Sequence, residues 1–357
     1  MRKVGKIEYK KIARISPSQF YSMTNCAYKS LLAEAFDKKP LLPISPNAYL
    51  GTVLHKMLEL ISKKEIKTDI EFNERFEAEI LLIEKELKQT GYDIFVPLYM
   101  NVRDFGIKKI QLKKHLKGAA VQSNQSGNIK FIPEQWFESK DKTIGGKIDL
   151  IIESENEIEI IDFKTGAITE DIFDDNGESY QDIKREYQRQ LKLYAYLFYD
   201  CTGKYPTKLS LVDLSKQKFN VEFSKQECDM IFQEAKALLI KTNNSIDNAI
   251  FHANPSESNC KYCLYRPACS FYFQHFKGNN SLNDVCGFII GVIKYQNGNV
   301  SIFIRNENNK ITITGFSADK YEYFNSNLNK QISLFNLRKE ATEFIYSVIK
   351  TTAVYEC

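Results

Sequence analysis

Residues 143–166 read TIGGKIDLIIESENEIEIIDFKTG. Two apolar, β-branched runs flank the polar turn Glu153-SENE-Ile158, the pattern of a β-hairpin whose strands are buried. Among the charges that interrupt them are Asp149 in the first run and Asp162 and Lys164 in the second. A strand has period two, so Asp162 and Lys164 share a face, and hairpin pairing can bring Asp149 beside them. Buried charges are costly unless paired or metal-bound. Two carboxylates and a lysine on one face make a hard-oxygen site suited to Mg²⁺ or Mn²⁺. The chemistry this suggests is phosphodiester hydrolysis: a divalent ion polarises the phosphate and acidifies a water, while the lysine offsets charge on the phosphorane. The bland alternative is a structural Asp–Lys pair, because D-x-K alone is common.

Other classes are excluded by composition and length. Of 357 residues 43% are apolar and 26% charged, ordinary for a folded globular chain and enough for about two domains. The longest apolar run, 286–293, falls far short of the about 20 residues a membrane helix needs, so no membrane association is expected. The N-terminus is basic but lacks the apolar stretch of a signal peptide, and a cytoplasmic location is the expectation. The net charge of +4 decides nothing about nucleic acid.

A polar segment at 277–284 is the expected linker between domains at 1–276 and 285–357. In the first, a helix is expected from Ser16-Pro17 to about Phe36, another from Ala48 to about Lys63, and a helical insert over about 65–130. Strands follow at 131–138, 143–153 and 157–164, then a helix at 182–200, strands at 207–213 and 218–223, and a helix at 225–242. The last part suggests five strands, 286–296, 299–306, 310–315, 330–336 and 344–355, with a short helix at 318–326 after the third. That is the order of an OB-like β-barrel.

Further residues fall into place around the D-x-K. Gln190 and Tyr194 lie four apart, on one helical face. Upstream, residues 51–55 (GTVLH) put His55 on a helix. The order GTVLH, GKID, DFK, QLKLY resembles the RecB-type branch of the PD-(D/E)xK nucleases, over about residues 16–275. The resemblance implies an α/β, restriction-endonuclease-like core. It implies that His55, Asp149 and Asp162 ligate the metal, with the Phe163 carbonyl adding an oxygen. Lys164 becomes the catalytic lysine, and Gln190 and Tyr194 orient the DNA backbone or that lysine. Glu134, in the preceding strand, matches a less constant acidic position.

Cysteines 260, 263 and 269 form C-x2-C-x5-C. Three thiolates want a fourth ligand, and Cys26, His252, Cys228 and Cys286 are candidates. Zinc is an alternative, although zinc sites more often pair two short knuckles. The spacing with one remote N-terminal cysteine resembles the iron–sulfur members of the same branch: AddB of bacterial helicase–nucleases, CRISPR-associated adaptation exonucleases and the eukaryotic replication nuclease–helicase. It implies a [4Fe–4S] cluster on Cys26, Cys260, Cys263 and Cys269. Clasping a loop of about 230 residues is worth about 5 kcal/mol in a chain-entropy estimate.

The expected activity is therefore a metal-dependent DNA nuclease, an exonuclease on single-stranded ends, in DNA repair or antiviral (anti-phage) defence. The chain has no P-loop, so any unwinding would come from a helicase or defence-system partner, met through the C-terminal domain. The alternative is a non-catalytic or partner-dependent DNA-binding subunit. Residues 103–117, with six Lys/Arg against one Asp, are a further candidate for phosphate contacts. In the C-terminal domain Phe288, Phe303, Tyr321 and Tyr323 could stack on bases, although a barrel core explains them as well.

Overall fold

The computed structural model describes residues 2–121, 129–173, 179–276, 282–307 and 309–356. In chain order these form β1 (Arg2–Lys3), α1 (Pro17–Asn25), α2 (Ala27–Ala35), α3 (Pro46–Ser62), α4 (Asp69–Gln89) and α5 (Phe105–Val121). Next come β2 (Lys130–Glu138), β3 (Gly145–Glu153), β4 (Ile158–Lys164), β5 (Thr169–Phe173), β6 (Ser179–Ile183), α6 (Arg185–Thr202), β7 (Lys208–Asp213), β8 (Lys218–Asn220) and α7 (Lys225–Asp247). The remainder is α8 (Glu257–Lys261), α9 (Ser270–His275), β9 (Val285–Lys294), β10 (Val300–Asn306), β11 (Asn309–Phe316), α10 (Tyr321–Asn325), β12 (Gln331–Phe335), β13 (Arg338–Lys339), β14 (Ile345–Ser347) and β15 (Ala353–Glu356).

The chain divides into two compact units. One gathers Ile12–Asn25 and Pro46–Ile250; the other gathers Met1–Lys11, Cys26–Ser45 and Phe251–Cys357. The expected single boundary at 277–284 is thus not where packing divides the chain. Residues 26–45 and 251–276 pack with the C-terminal strands, and Leu42, Cys260, Tyr272, Phe335 and Tyr355 share one core. Of the expected linker, 277–281 lie outside the described residues.

The larger unit holds a mixed sheet in the order β2-β3-β4-β7-β8. Only β4 and β7 run parallel, joined by a crossover that contains α6. Strand β4 is buried from Glu159 to Phe163, which accounts for its nearly unbroken apolar sequence. Helices α3, α4 and α5 pack through Leu54, Met57, Phe72, Phe76 and Leu112 into a core that includes Ile161 and Phe163. Helix α4 begins with a capping box, Thr68 and Glu71 each satisfying the other's backbone N–H; Ser224 and Glu227 do the same for α7. The basic stretch on α5 is partly neutralised, with Lys109 paired to Glu77 at 2.7 Å and Lys113 to Asp69 at 2.8 Å.

Three expectations are corrected in detail. The helix expected from 17 to 36 is broken at Cys26, whose backbone is extended (φ −157°, ψ 94°) and starts α2. Thr24 and Asn25 just before it are weak helix formers, and the Thr24 hydroxyl bonds back to Phe20 O. The ribbon β5–β6 was not foreseen, because TEDIF and SYQDI lack a clear apolar alternation. The fifth C-terminal strand divides in two. A turn in which Ile349 and Thr352 exchange hydrogen bonds separates β14, parallel to β11, from β15, antiparallel to β12. With β1 added at one edge and β13 at the other, the smaller unit's sheet runs β1-β15-β12-β9-β10-β11-β14-β13. Ile289, Ile302, Ile304, Ile311, Ile313 and Ile332 fill its core. No helix among the described residues is long and apolar enough to cross a membrane.

Candidate active site

Strands β3 and β4 pair antiparallel up to Leu150–Ile161, and one step further Asp149 reaches the side of Asp162. Asp149 Oδ2 accepts the Phe163 N–H at 2.8 Å. On β4, Asp162 Oδ2 lies 2.7 Å from Lys164 Nζ, with both side chains deeply buried. Helix α6 closes the group from one side. Gln190 Nε2 donates to Asp162 Oδ1 at 2.9 Å, and its Oε1 accepts from Lys164 Nζ at 2.9 Å. One amide therefore fixes both the carboxylate and the ammonium. Tyr194, a turn later, is buried, and its ring lies against Gly146. A Cβ at Gly146 would stand 3.0 Å from Tyr194 Cε1 and 2.7 Å from Pro17 Cδ, so this close approach requires glycine.

Helix α3 brings the G-x-x-x-H segment to the same place. A Cβ at Gly51 would lie 3.6 Å from Thr165 Oγ1, immediately after Lys164. His55, one turn on, is exposed in part. The surrounding protein still lowers its pKa, with the nearby Asp162 opposing and Lys164 reinforcing the shift. Glu134 sits opposite Asp149 on β2, between the Pro133–Leu150 and Gln135–Ile148 pairs. Its φ of +57° is unusual inside a strand and turns its carboxylate onto Lys147, with which it ion-pairs.

Burial, reinforced by the charge of Asp162, pushes the Asp149 carboxyl up to about 8; the Phe163 N–H acts in the opposite direction. Tyr194 is likewise raised, by burial and by the same carboxylates.

Two observations bear on whether a divalent ion suits these residues. Asp162 Oδ2 and Glu134 Oε2 are buried and accept no hydrogen bond, although each lies against an ammonium. Such oxygens, with a carboxyl whose ionisation is suppressed next door, suit a hard cation. Among the described residues, however, no group of three or more His, Cys, Asp or Glu is gathered closely enough to hold a metal ion as it stands. Lys164 occupies the oxygen that Asp162 would offer.

The family of the chain follows from comparison with known proteins. Residues 14–270 match the PD-(D/E)XK nuclease superfamily. The chain belongs to that superfamily. It spans Asp149, Asp162, Lys164 and Gln190, and its members are phosphodiesterase hydrolases that generally use divalent metal ions such as Mg²⁺. A candidate exonuclease from Eubacterium rectale is similar at 8% identity, over 73% of this chain and 88% of that one, with a TM-score of 0.43. The protein SSO0001 is similar at 15% identity, over 53% of this chain and 79% of that one, with a TM-score of 0.23. A search of curated proteins finds no match.

The cysteines are gathered in the smaller unit. Cys26, Cys260, Cys263 and Cys269 line one small cavity of about 20 Å³ with Tyr28, Arg266 and Tyr272. Burial raises the thiol pKa of Cys260 and Cys263, and that of Cys269 to about 12, so these sulfurs stand as neutral thiols in a space for a single water. Among the described residues, these thiols are not gathered closely enough to hold a metal ion as they stand. Cys228 is buried in α7, and Cys286 lies elsewhere on β9.

Two residues were missed, one beside the cysteines and one beside Lys164. Arg266, buried, donates to Cys260 O, Lys261 O and Cys263 O at 2.8–3.0 Å, to Asp284 Oδ2 at 2.9 Å and to Asn336 Oδ1 at 2.6 Å. It braces the cysteine loop from within. An arginine between cysteines reads as a surface residue, and no sequence signal distinguishes it. Tyr187 was also missed. Its ring lies under Lys164 Nζ, 4.3 Å from the centroid. Its spacing, three residues before Gln190 on the same helical stripe, could have revealed it.

Proposed function

We propose that the chain is a metal-dependent deoxyribonuclease, an exonuclease acting on single-stranded DNA ends in repair or anti-phage defence. One observation carries the reading: Gln190 holds Asp162 and Lys164 together, with Asp149 alongside, inside the segment that matches the superfamily. Asp149, Asp162 and His55, with the Phe163 carbonyl, would hold Mg²⁺ or Mn²⁺. When bound, such an ion polarises the scissile phosphate and acidifies a water. Lys164 is placed to orient the attacking water and to offset charge that grows on the phosphate. Gln190 sets the direction of that ammonium, and Tyr194 supports the strand bearing Asp149 by packing on Gly146.

The four cysteines would hold the [4Fe–4S] cluster as a clasp between α2 and the 251–276 segment. What supports this is that thiols remote in sequence line one cavity. The smaller unit reads as an OB-like barrel, supported by the strand order β15-β12-β9-β10-β11-β14, with the split last strand joining both edges. Its role would be strand capture or docking of a helicase or defence-system partner. A second reading, a DNA-binding subunit active only with a partner, is favoured by one observation: among the described residues no three acidic or histidine groups are gathered closely enough to hold a metal ion as they stand.

End-labelled single-stranded, duplex and circular DNA, incubated with anaerobically purified protein and Mg²⁺ or Mn²⁺, tests the reading. Cleavage of linear but not circular strands, lost in Lys164→Ala, is expected. Cutting at the wild-type rate by Lys164→Ala would refute the assignment, and no cutting by folded wild type would favour the partner-dependent subunit.

A further inference from the structure

The Lys164 ammonium has three donors and almost no access to water, its side chain being 13% exposed. One side meets Gln190 Oε1 at 2.9 Å and another meets Asp162 Oδ2 at 2.7 Å. The ring of Tyr187, in the first turn of α6, lies across a further approach, 4.3 Å from Nζ to the centroid. The ring is half-buried, and Lys184 at the helix start comes within 5.8 Å of the same ring. Tyr187, Gln190 and Tyr194 fall at i, i+3 and i+7, so one stripe of α6 presents all three to β3 and β4. A cation over an aromatic face is held by the ring quadrupole, and the attraction strengthens where water is excluded. The ring adds a third contact to the ammonium without competing for the proton or for a cation on the carboxylate.

We propose that Tyr187 is a positioning residue whose ring face fixes a third side of the Lys164 ammonium, which Gln190 and Asp162 hold from two others, and so keeps it in the direction from which it meets the substrate phosphate. This rests on the reading of Lys164 as the catalytic lysine. The ring carries the effect, not the hydroxyl.

The test uses full-length protein and Tyr187→Phe, Tyr187→Trp, Tyr187→Leu and Tyr187→Met. Two quantities are read. The first is independent of activity: the ε-methylene resonance of Lys164, assigned by its loss in Lys164→Ala, is shifted upfield by the ring in wild type and Phe, and returns to the ordinary lysine position in Leu and Met. The second is steady-state cleavage of single-stranded ends. Phe and Trp are expected to keep kcat within about threefold, while Leu and Met lose on the order of tenfold in kcat with KM and Tm unchanged. An unshifted Lys164 resonance in wild type overturns the placement. Full kcat in both Leu and Met, or a Phe variant as impaired as Leu, overturns the role of the ring. A shifted resonance in a wild type that cuts no DNA refutes the catalytic reading beneath the proposal while leaving the contact standing.

Discussion

Asp149→Asn should change how the metal-free protein responds to pH. In the unfolded chain an aspartate titrates near 3.9. In the fold Asp149 is pushed up to about 8 by burial and by Asp162. A carboxyl raised on folding contributes stability that is complete below its unfolded pKa. That contribution is lost as pH rises toward the folded pKa, because the unfolded chain can ionise while the folded one cannot. One proton gives a slope of at most about 1.4 kcal/mol per pH unit. His55 and His115, both lowered by burial, act with the opposite sign as they lose protons near and below pH 6.5. The clean window is therefore pH 6.5 to 8, where wild type in EDTA should lose about 2 kcal/mol from this group alone. Asparagine is close in shape, can still accept the Phe163 N–H and cannot ionise. Thermal unfolding followed by circular dichroism across that window should show Tm falling in wild type and a flatter line in Asp149→Asn. Mg²⁺ should then raise the wild-type Tm more at pH 8 than at 6.5, since a cation takes the ionised carboxylate, and should leave the variant unmoved. Equal slopes in the two proteins would refute the assignment of a suppressed carboxyl to Asp149.

Three other perturbations have definite outcomes. Arg266→Met should cost about 3–5 kcal/mol in denaturant unfolding, because the buried carboxylate of Asp284 loses its cation and three loop carbonyls lose their donor; a loss under 1 kcal/mol would show that the cysteine loop is braced by something else. Gly146→Ala should destabilise by about 1–3 kcal/mol, since its Cβ would meet Pro17 and Tyr194, and unchanged stability would show that Tyr194 has room to move. Cys263→Ala should strip iron from anaerobically purified protein, read by metal analysis and loss of brown colour; an iron-replete variant would exclude the four-cysteine cluster.

The part of the site that the sequence reveals is the part where chemistry contradicts local pattern. Asp149, Asp162 and Lys164 stand out because they interrupt largely apolar runs, and the strands and the α6 helix around them fall close to their expected limits. Gln190 is legible through its spacing from Tyr194. Glu134 is singled out in the sequence by the resemblance alone, and its unusual backbone at φ +57° shows only in the structure; Tyr187 is one tyrosine among twenty until Lys164 is found over it. Arg266 looks solvated in sequence because burial of a guanidinium depends on five acceptors that no local pattern announces. The division into units escaped for a different reason: each is assembled from separated segments, and hydrophobic periodicity says nothing about which segments meet.

Strand β1 pairs in parallel with β15, Arg2 opposite Tyr355 and Lys3 opposite Glu356. This sets an order of events during synthesis. The unit formed by Ile12–Asn25 and Pro46–Ile250 has all its residues once position 250 clears the ribosome, whereas the other must wait for its last strand. Through that interval residues 2–3 have no strand to join, and until positions 260–269 emerge Cys26 has no partner cysteines. At about 5–20 residues per second the remaining hundred or so residues take on the order of five to twenty seconds. A nascent chain stalled near residue 280 would therefore carry a complete active-site sheet beside an open thiol-bearing segment, a state in which oxidants and chaperones can reach Cys26 before the fold encloses it.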